Sequence, residues 1–565
     1  MVITLSAVFT NLIPFVISRA IDQIKNNTGD FSLLNYALLT VGFALISGIF
    51  LYLTRQMIIV VSREIENDIR NDFLEHILVQ DQQYFHFHPT GDIMALATND
   101  ISAVRNFLGP GIMYTAETLI NFTMAISLML SFNAELTLIA VVPIPLISYV
   151  VYRIGKSINY KFELVQEEFS ALTTKAQENL SGIKVVKAYV RENSETESFR
   201  KISESYKKKN LELAKVQSFS YPIMFLLTGF SVIIVLYAGG NKIISNELTI
   251  GQLTAFIIYL GLLTWPIISL GWIINLTQRA EASMKRLCEV FDSKPSIGDP
   301  EACRKNPCEC IDKKISGNIE FRNVNFRYLN NYPYVLRNIN LKINAGETIG
   351  IIGHTGSGKT TLVNLISRLF DIKEGVLLID DIPVKQYLLD DLRSSIGYVP
   401  QETFLFSDTI ENNIAYSEKN FDKDKVIYAA KISQIYKDVD SFPKRFDTIL
   451  GERGINLSGG QKQRTSIARA VTADPEILIL DDAFSAVDTY TEEEILKGLK
   501  EVLKGRTTIL ISHRISTLKN SDRIIVLKEG SIAEEGTHDD LILKNGIYAD
   551  IYLKQLLEDE LKEID

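Results

Sequence analysis

Eight consecutive residues, Gly353-His354-Thr355-Gly356-Ser357-Gly358-Lys359-Thr360, have the types and spacing to hold a triphosphate. They satisfy G-x-x-x-x-G-K-[ST]. In that pattern glycines let backbone N–H groups turn onto phosphate oxygens, the lysine reaches the β- and γ-phosphates, and the last hydroxyl holds Mg2+. The pattern carries this meaning only between a strand and a helix. Here an apolar run at 348–352 precedes it, and 361–366 opens a helix whose N-terminal partial charge favours an anion, so Thr361 closes the loop. A second stretch, Ile477-Leu478-Ile479-Leu480-Asp481, reads as a buried strand ending in a carboxylate suited to a Mg2+-bound water. The chain is expected to bind a nucleoside triphosphate with Mg2+.

These residues need an α/β frame, and the sequence supplies one from Gly317 onward, where short β-type runs alternate with helical segments. Residues 318–326 and 335–343 read as strands leading to the loop. The first half of the chain differs. Apolar stretches at 1–21, 33–53, 107–132, 136–152, 218–238 and 253–276 are each near the ~20 residues that cross a hydrocarbon core. Two unlike halves account for 565 residues that are 46% hydrophobic yet 22% charged, with a mean hydropathy of +0.10. Basic residues collect after the second stretch (Arg63, Arg70, Arg105) and, densely, from Arg153 to Lys215 after the fourth. By the positive-inside rule those long connections are cytoplasmic, and the nucleotide-binding half with them. The expected location is the plasma membrane, crossed several times.

The long connections keep a helical period, as in 65–74, so the membrane helices are expected to continue into the cytoplasm, with breaks near His88-Pro89-Thr90-Gly91-Asp92 and Arg191-Glu192-Asn193-Ser194. Arg55 and Glu117 lie toward the cytoplasmic ends of their spans, and no buried acidic relay supports proton coupling. Pro143, Pro145, Pro222 and Pro266 are candidate kinks. A net charge of −9 argues against a nucleic-acid partner. Of four cysteines none sits in an outside loop. Cys303, Cys308 and Cys310, spaced C-x4-C-x-C with no histidine nearby, read as reduced linker thiols rather than a metal site. The N-terminus lacks the charged start and cleavage site of a signal peptide. The expected division is a membrane domain at 1–282, a linker at 283–318, a nucleotide-binding domain at 319–555 and a tail at 556–565.

Between the two nucleotide motifs lies Leu457-Ser458-Gly459-Gly460-Gln461, followed by a helical run at 462–470. With it the chain resembles the ATP-binding cassette family along essentially its whole length. The resemblance implies that Ser458, Gly459, Gly460 and Gln461 close on nucleotide held by an opposite subunit. It implies that Tyr328 stacks on adenine, that Gln401 senses Mg2+ held also by Thr360 and Asp481, and that His513 contacts the γ-phosphate. Gly451-Glu452-Arg453-Gly454 resembles the exporter loop that meets the intracellular loops. Ser485-Ala486-Val487-Asp488 resembles the loop linking two sites. Thr90-Gly91-Asp92, Asn99-Asp100 and residues 182–189 resemble the intracellular loops themselves.

Membrane half first and cassette second resembles a half-size exporter. The implied fold is multidomain, a six-helix all-α transmembrane domain with long cytoplasmic extensions followed by an α/β P-loop cassette. The implied activity is ATP hydrolysis coupled to export of a small amphipathic molecule, with a second half-transporter as partner. Two features depart from the family pattern. Asp482 stands where hydrolysing members carry a glutamate base; its side chain is one methylene shorter, withdrawing the carboxylate by about 1.5 Å. Misplacement on that scale costs on the order of a hundredfold in rate. This resembles the degenerate subunit of heterodimeric multidrug exporters, with Asp482, His513 and Gln401 as the catalytic set of a slow site. The alternatives are a self-sufficient homodimer exporting lipid or peptide, and a non-hydrolysing regulatory subunit gated by ATP. The second departure is at the start: relatives carry an elbow helix and a longer first span before the match to Ile13-Pro14, so a truncated first helix is expected.

Overall fold

The computed structural model describes residues 1–26, 32–299, 314–329, 331–418, 422–451, 454, 456–502 and 504–564. The chain forms two compact units, one of Met1–Leu78 with Thr90–Ser293, the other of Val79–Pro89 with Lys294–Asp565.

The first unit is helical throughout. Five described helices are long and apolar enough to cross a membrane: Val2–Lys25, Leu33–Leu78, Thr90–Phe132, Glu192–Ile244 and Ile250–Asp292. The expected fourth stretch, 136–152, is divided between helices Ala134–Val141 and Pro143–Ser181. Val142 keeps helical angles of −51° and −39° and donates to Leu138 O, but Pro143 has no N–H to donate, so the hydrogen-bond ladder lapses there. Pro222 and Pro266 sit inside continuous helices.

Several of these helices are longer than any bilayer requires. At 1.5 Å per residue the 46 residues of Leu33–Leu78 run about 69 Å, more than twice a ~30 Å hydrocarbon core. The surplus is the helical extension expected from the 65–74 period. Large apolar side chains such as Leu34, Leu45, Phe225 and Leu226 point outward along the apolar parts. In lipid such a face costs nothing to expose, and interhelical packing takes over from the hydrophobic effect. Inward-facing Ala125, Met129, Leu136, Val235, Phe256 and Tyr259 form the packed core of this unit. In the extension, buried Glu66 receives Arg63 at 2.9 Å, Arg70 at 3.0 Å and Arg105 at 3.3 Å, which ties two helical segments by charge.

The last helix starts on a capping box, Thr249 with Gln252, and runs to Asp292. That is ten residues into the stretch read above as linker. Ser283, Leu287 and Val290 are buried at helical spacing, so the packed face continues and the helix with it. Cys303, Cys308 and Cys310 lie outside the described residues, as do Glu452 and Arg453. The break in the first cytoplasmic connection holds a short helix, Gln82–Phe87, whose N-cap Asp81 accepts from the Tyr84 N–H at 3.0 Å and from the Ser296 N–H at 2.8 Å.

The second unit contains two sheets. A four-stranded antiparallel sheet has the order β2 (Leu336–Ile343), β1 (Ile319–Phe326), β4 (Glu374–Ile379), β5 (Ile382–Pro383). A six-stranded sheet has the order β10 (Ser531–Gly536), β9 (Arg523–Lys528), β3 (Thr348–Gly353), β8 (Thr507–Ile511), β7 (Ile477–Asp481), β6 (Ile396–Val399). Strands β9, β3, β8, β7 and β6 are parallel, and β10 closes one edge antiparallel. Every residue of β7 and β8 is buried, the continuous apolar reading of a strand covered on both faces.

Candidate functional site

The register of the parallel strands assembles the site. Ile351 of β3 pairs with Ile511 of β8, and Asp481 of β7 pairs with the same Ile511, so three C-terminal strand ends lie level. The loops leaving those ends carry Gly353–Thr360, His513 and Asp482, and the loop after β6 carries Gln401. This is the crevice beyond the carboxyl ends of a parallel sheet, where α/β folds bind ligands. A cleft of about 170 Å³ opens there, and its lining includes Thr355, Gly356, Gly358, Lys359, Thr360, Thr361, Gln401, Asp481, Asp482 and His513. Val335 and Ile511 complete the wall.

The loop is shaped by glycine. A Cβ on Gly353 would fall 2.2 Å from the Leu527 carbonyl oxygen, and Gly358 has φ +100°, in the left-handed region. Gly358 is followed at once by the Lys359–Ile366 helix, whose N–H groups face the cleft. Lys359 is buried, and its Nζ donates to the carbonyls of Gly353 at 2.9 Å and His354 at 3.1 Å. Burial pulls its pKa down, while the nearby charges of Asp481 and Asp482 push the other way. Asp481 is 1% exposed, and burial raises its carboxyl pKa; a hydrogen bond from Thr360 offsets part of that and the Asp482 charge adds to it. Its Oδ2 is buried with no hydrogen-bond partner, and so is the Ser357 hydroxyl. A buried carboxylate oxygen without a partner, beside a second carboxylate and a threonine hydroxyl, is a donor set that fits a hard cation.

Tyr328 stands apart from the cleft lining. Its hydroxyl meets Thr361 Oγ1 at 2.8 Å, and its ring lies edge-on to Phe370 and Phe326, with centroids 5.0 and 5.1 Å away. Asp482 has φ +49°, a conformation aspartate tolerates better than most residues, and its N–H donates to Ile511 O at 2.9 Å.

The structure does not bring Ser458, Gly459, Gly460 or Gln461 to this cleft. Ser458 caps the 14-residue helix Gly459–Thr472 in a capping box with Gln461, whose amide also reaches Asp438 at 2.9 Å. Ser458 and Gly459 are exposed, and a Cβ on Gly460 would meet the Ala486 carbonyl at 2.8 Å. The serine–glycine turn is therefore packed on the 485–488 loop and presents its helix N-terminus outward.

Both halves of the chain match known families. Residues 1–267 match the ABC transporter transmembrane region and residues 336–485 match the ABC transporter family. The chain belongs to the ABC transporters. It is 38% identical over 494 residues to the probable multidrug resistance ABC transporter ATP-binding/permease protein YheI of Bacillus subtilis (strain 168), covering 87% of this chain and 83% of that one. It is 34% identical over 561 residues to the ATP-dependent lipid A-core flippase of Syntrophus aciditrophicus (strain SB), covering 99% and 92%. The structure of a bacterial Atm1-family ABC exporter with ATP bound superposes with a TM-score of 0.79 at 26% identity, over 98% of this chain and 96% of that one. The half-size exporter reading, its multi-pass membrane location with a cytoplasmic cassette, and ATP hydrolysis coupled to transport all follow for this ABC transporter.

One residue escaped the sequence reading. Gln555, on the C-terminal helix Ile547–Ile564, donates from Nε2 to the His513 carbonyl at 2.6 Å and accepts from the Ile515 N–H at 2.9 Å. The two bonds fix the backbone on either side of Arg514, and so the direction of the His513 side chain. No motif marks it, because a helical glutamine 42 residues downstream carries no local signal. Replacing Gln555 with Leu is expected to lower ATP turnover of the assembled transporter about tenfold, the equivalent of one to two hydrogen bonds. ATP affinity stays near the wild-type value. Steady-state ATPase assays beside nucleotide titration check this; a parallel loss of affinity contradicts a positioning role confined to the His513 loop.

Proposed function

We propose that this chain is one subunit of a two-chain exporter of amphipathic, drug-like or lipid-like compounds. It binds ATP at a slow site of its own and completes the competent site of a second half-transporter. The observation that carries the composite site is the separation of the two nucleotide elements, and the slow site rests on aspartate at position 482. The phosphate loop opens into one cleft, while Ser458–Gln461 sits elsewhere on the cassette, exposed and facing outward. A chain that holds both halves of a nucleotide sandwich on different faces needs a second cassette to close either.

In this reading the backbone N–H groups from Gly353 to Thr361 hold the phosphates of ATP and Lys359 neutralises them. Tyr328 offers its ring to the adenine. Mg2+ would be held by Thr360, Gln401 and Asp481, where it supplies Lewis-acid stabilisation of the transferring phosphoryl charge. Gln401 and His513 flank the γ-phosphate position, and Asp482 orients the attacking water from a carboxylate set about 1.5 Å too far back. The substrate class is supported by the relatives, one described as a probable multidrug resistance transporter and one as a lipid A-core flippase.

Proteoliposomes containing the chain with its co-purified partner test this. ATP-driven extrusion of a neutral amphipathic dye is expected, and it should fall at least tenfold when Ser458 is replaced by Arg on this chain, which blocks the partner's nucleotide. Full extrusion by the Ser458→Arg protein contradicts the composite site.

A further inference from the structure

Glu117 has no place in the ATP cycle, and the membrane unit gives it unusual surroundings. It lines a cleft of about 220 Å³ together with Thr10, Tyr114, Asn121, Trp265 and Pro266. The cleft lies between the first helix, the Ile112–Phe132 helix and the Ile250–Asp292 helix. Glu117 is 15 residues from Phe132, and Trp265 is 15 residues from Ile250. Both ends face the outside, so each side chain lies about 22 Å in along its helix axis, past the middle of a ~30 Å core.

A carboxylate at that depth is costly unless something answers its charge. Among the described residues Glu117 makes no hydrogen bond and no ion pair; the Arg55 guanidinium acts on it electrostatically but is exposed and beyond ion-pair distance. The walls around it are held in place. Asn11 donates to Asn121 at 2.9 Å, joining the first helix to the Ile112–Phe132 helix. Thr118 and Ser269 hydroxyls meet at 3.1 Å, joining that helix to the last. Tyr114 is set edge-on by Trp272, with centroids 5.3 Å apart. An unpaired carboxylate lining the same cleft as a tyrosine and a tryptophan is complementary to a monovalent cation with an apolar skirt, which gains the charge pair and the aromatic contact together.

We infer that this cleft is a cargo site for lipophilic organic cations, with Glu117 as counter-charge and Tyr114 and Trp265 as aromatic walls. The inference rests on the exporter reading above and names its cargo class. Trp265 and Trp272 are the two tryptophans of the chain, so with the partner's tryptophans replaced by phenylalanine intrinsic fluorescence reports on this cleft. The test titrates the full transporter in nanodiscs with tetraphenylphosphonium and with tetraphenylborate, an anion of the same shape. The phosphonium is expected to quench saturably and the borate to show no saturable component. Replacing Glu117 with Gln weakens phosphonium binding at least tenfold, and Glu117→Asp keeps it within threefold. Equal saturable binding of both ions overturns the proposal, as does wild-type affinity in the Gln variant. Where the Gln variant does not assemble, the cation–anion contrast in the wild type decides alone. Extrusion of the neutral dye without phosphonium binding sinks the cation site and leaves the exporter reading intact. Saturable phosphonium binding without dye extrusion upholds the site and sinks the reading it rests on.

Discussion

Replacing Asp482 with Glu is expected to raise ATP turnover at this chain's own site about a hundredfold. The cleft gathers this chain's own share of the proposed site: Lys359, Thr360, Gln401, Asp481 and His513 line it with Asp482, and a second cassette would supply the serine–glycine turn. What is short is reach. Asp482 is anchored by its N–H to Ile511 O at 2.9 Å and by a left-handed φ of +49°, so its backbone cannot advance toward the cleft to compensate for the missing methylene. Glutamate restores the length from the same anchor. The accompanying cost, a longer side chain in a left-handed conformation, is about 1 kcal/mol of cassette stability, small beside the rate gain. Steady-state ATPase of the assembled transporter with the partner's own phosphate loop disabled, wild type beside variant, reads this directly. Equal ordinary turnover in both would mean that aspartate serves as the base here.

The second large effect is expected from Lys359→Ala, which should weaken ATP binding about a thousandfold, or ~4 kcal/mol, the range for removing one member of a buried charge pair. The amine is buried and held by two carbonyls, and its charge acts on Asp481 and Asp482 from within the loop. Its loss removes the phosphate's counter-charge and leaves two carboxylates to repel an anion. Lys359→Arg is not expected to rescue, because a longer planar guanidinium does not reproduce the compact ammonium that donates to the Gly353 and His354 carbonyls. A fluorescent-nucleotide titration measures both; binding by the Ala variant within tenfold of wild type contradicts the assigned role of the loop.

What was legible in the sequence follows from what is local. Residues 348–366 announce a strand, a glycine loop and a helix because each needs only its own residues, and β3 and the Lys359–Ile366 helix lie there. The strand ending in Asp481 falls on 477–481 for the same reason. Hydropathy marked the membrane spans, but the fourth was broken by a backbone donor missing at Pro143, which a hydropathy average does not register. The polar run from 283 reads as linker, while the helix continues to Asp292 because Ser283 and Arg286 are engaged by Asp100, a residue 183 positions away from Ser283. Gln555 and the surroundings of Glu117 were invisible for the same physical reason. Each depends on segments brought together by packing, and neither a lone glutamine nor a lone glutamate declares its partners.

A chain that works as the slow half of a two-chain site must be found with a different partner, so the composition of the assembly decides the proposal. Native mass spectrometry of the transporter purified from its own membrane through a tag on this chain counts the subunits. One copy of the 63.7 kDa chain with one copy of a different half-transporter is expected. Two copies of this chain, turning over ATP at an ordinary rate with Asp482 intact, would contradict it.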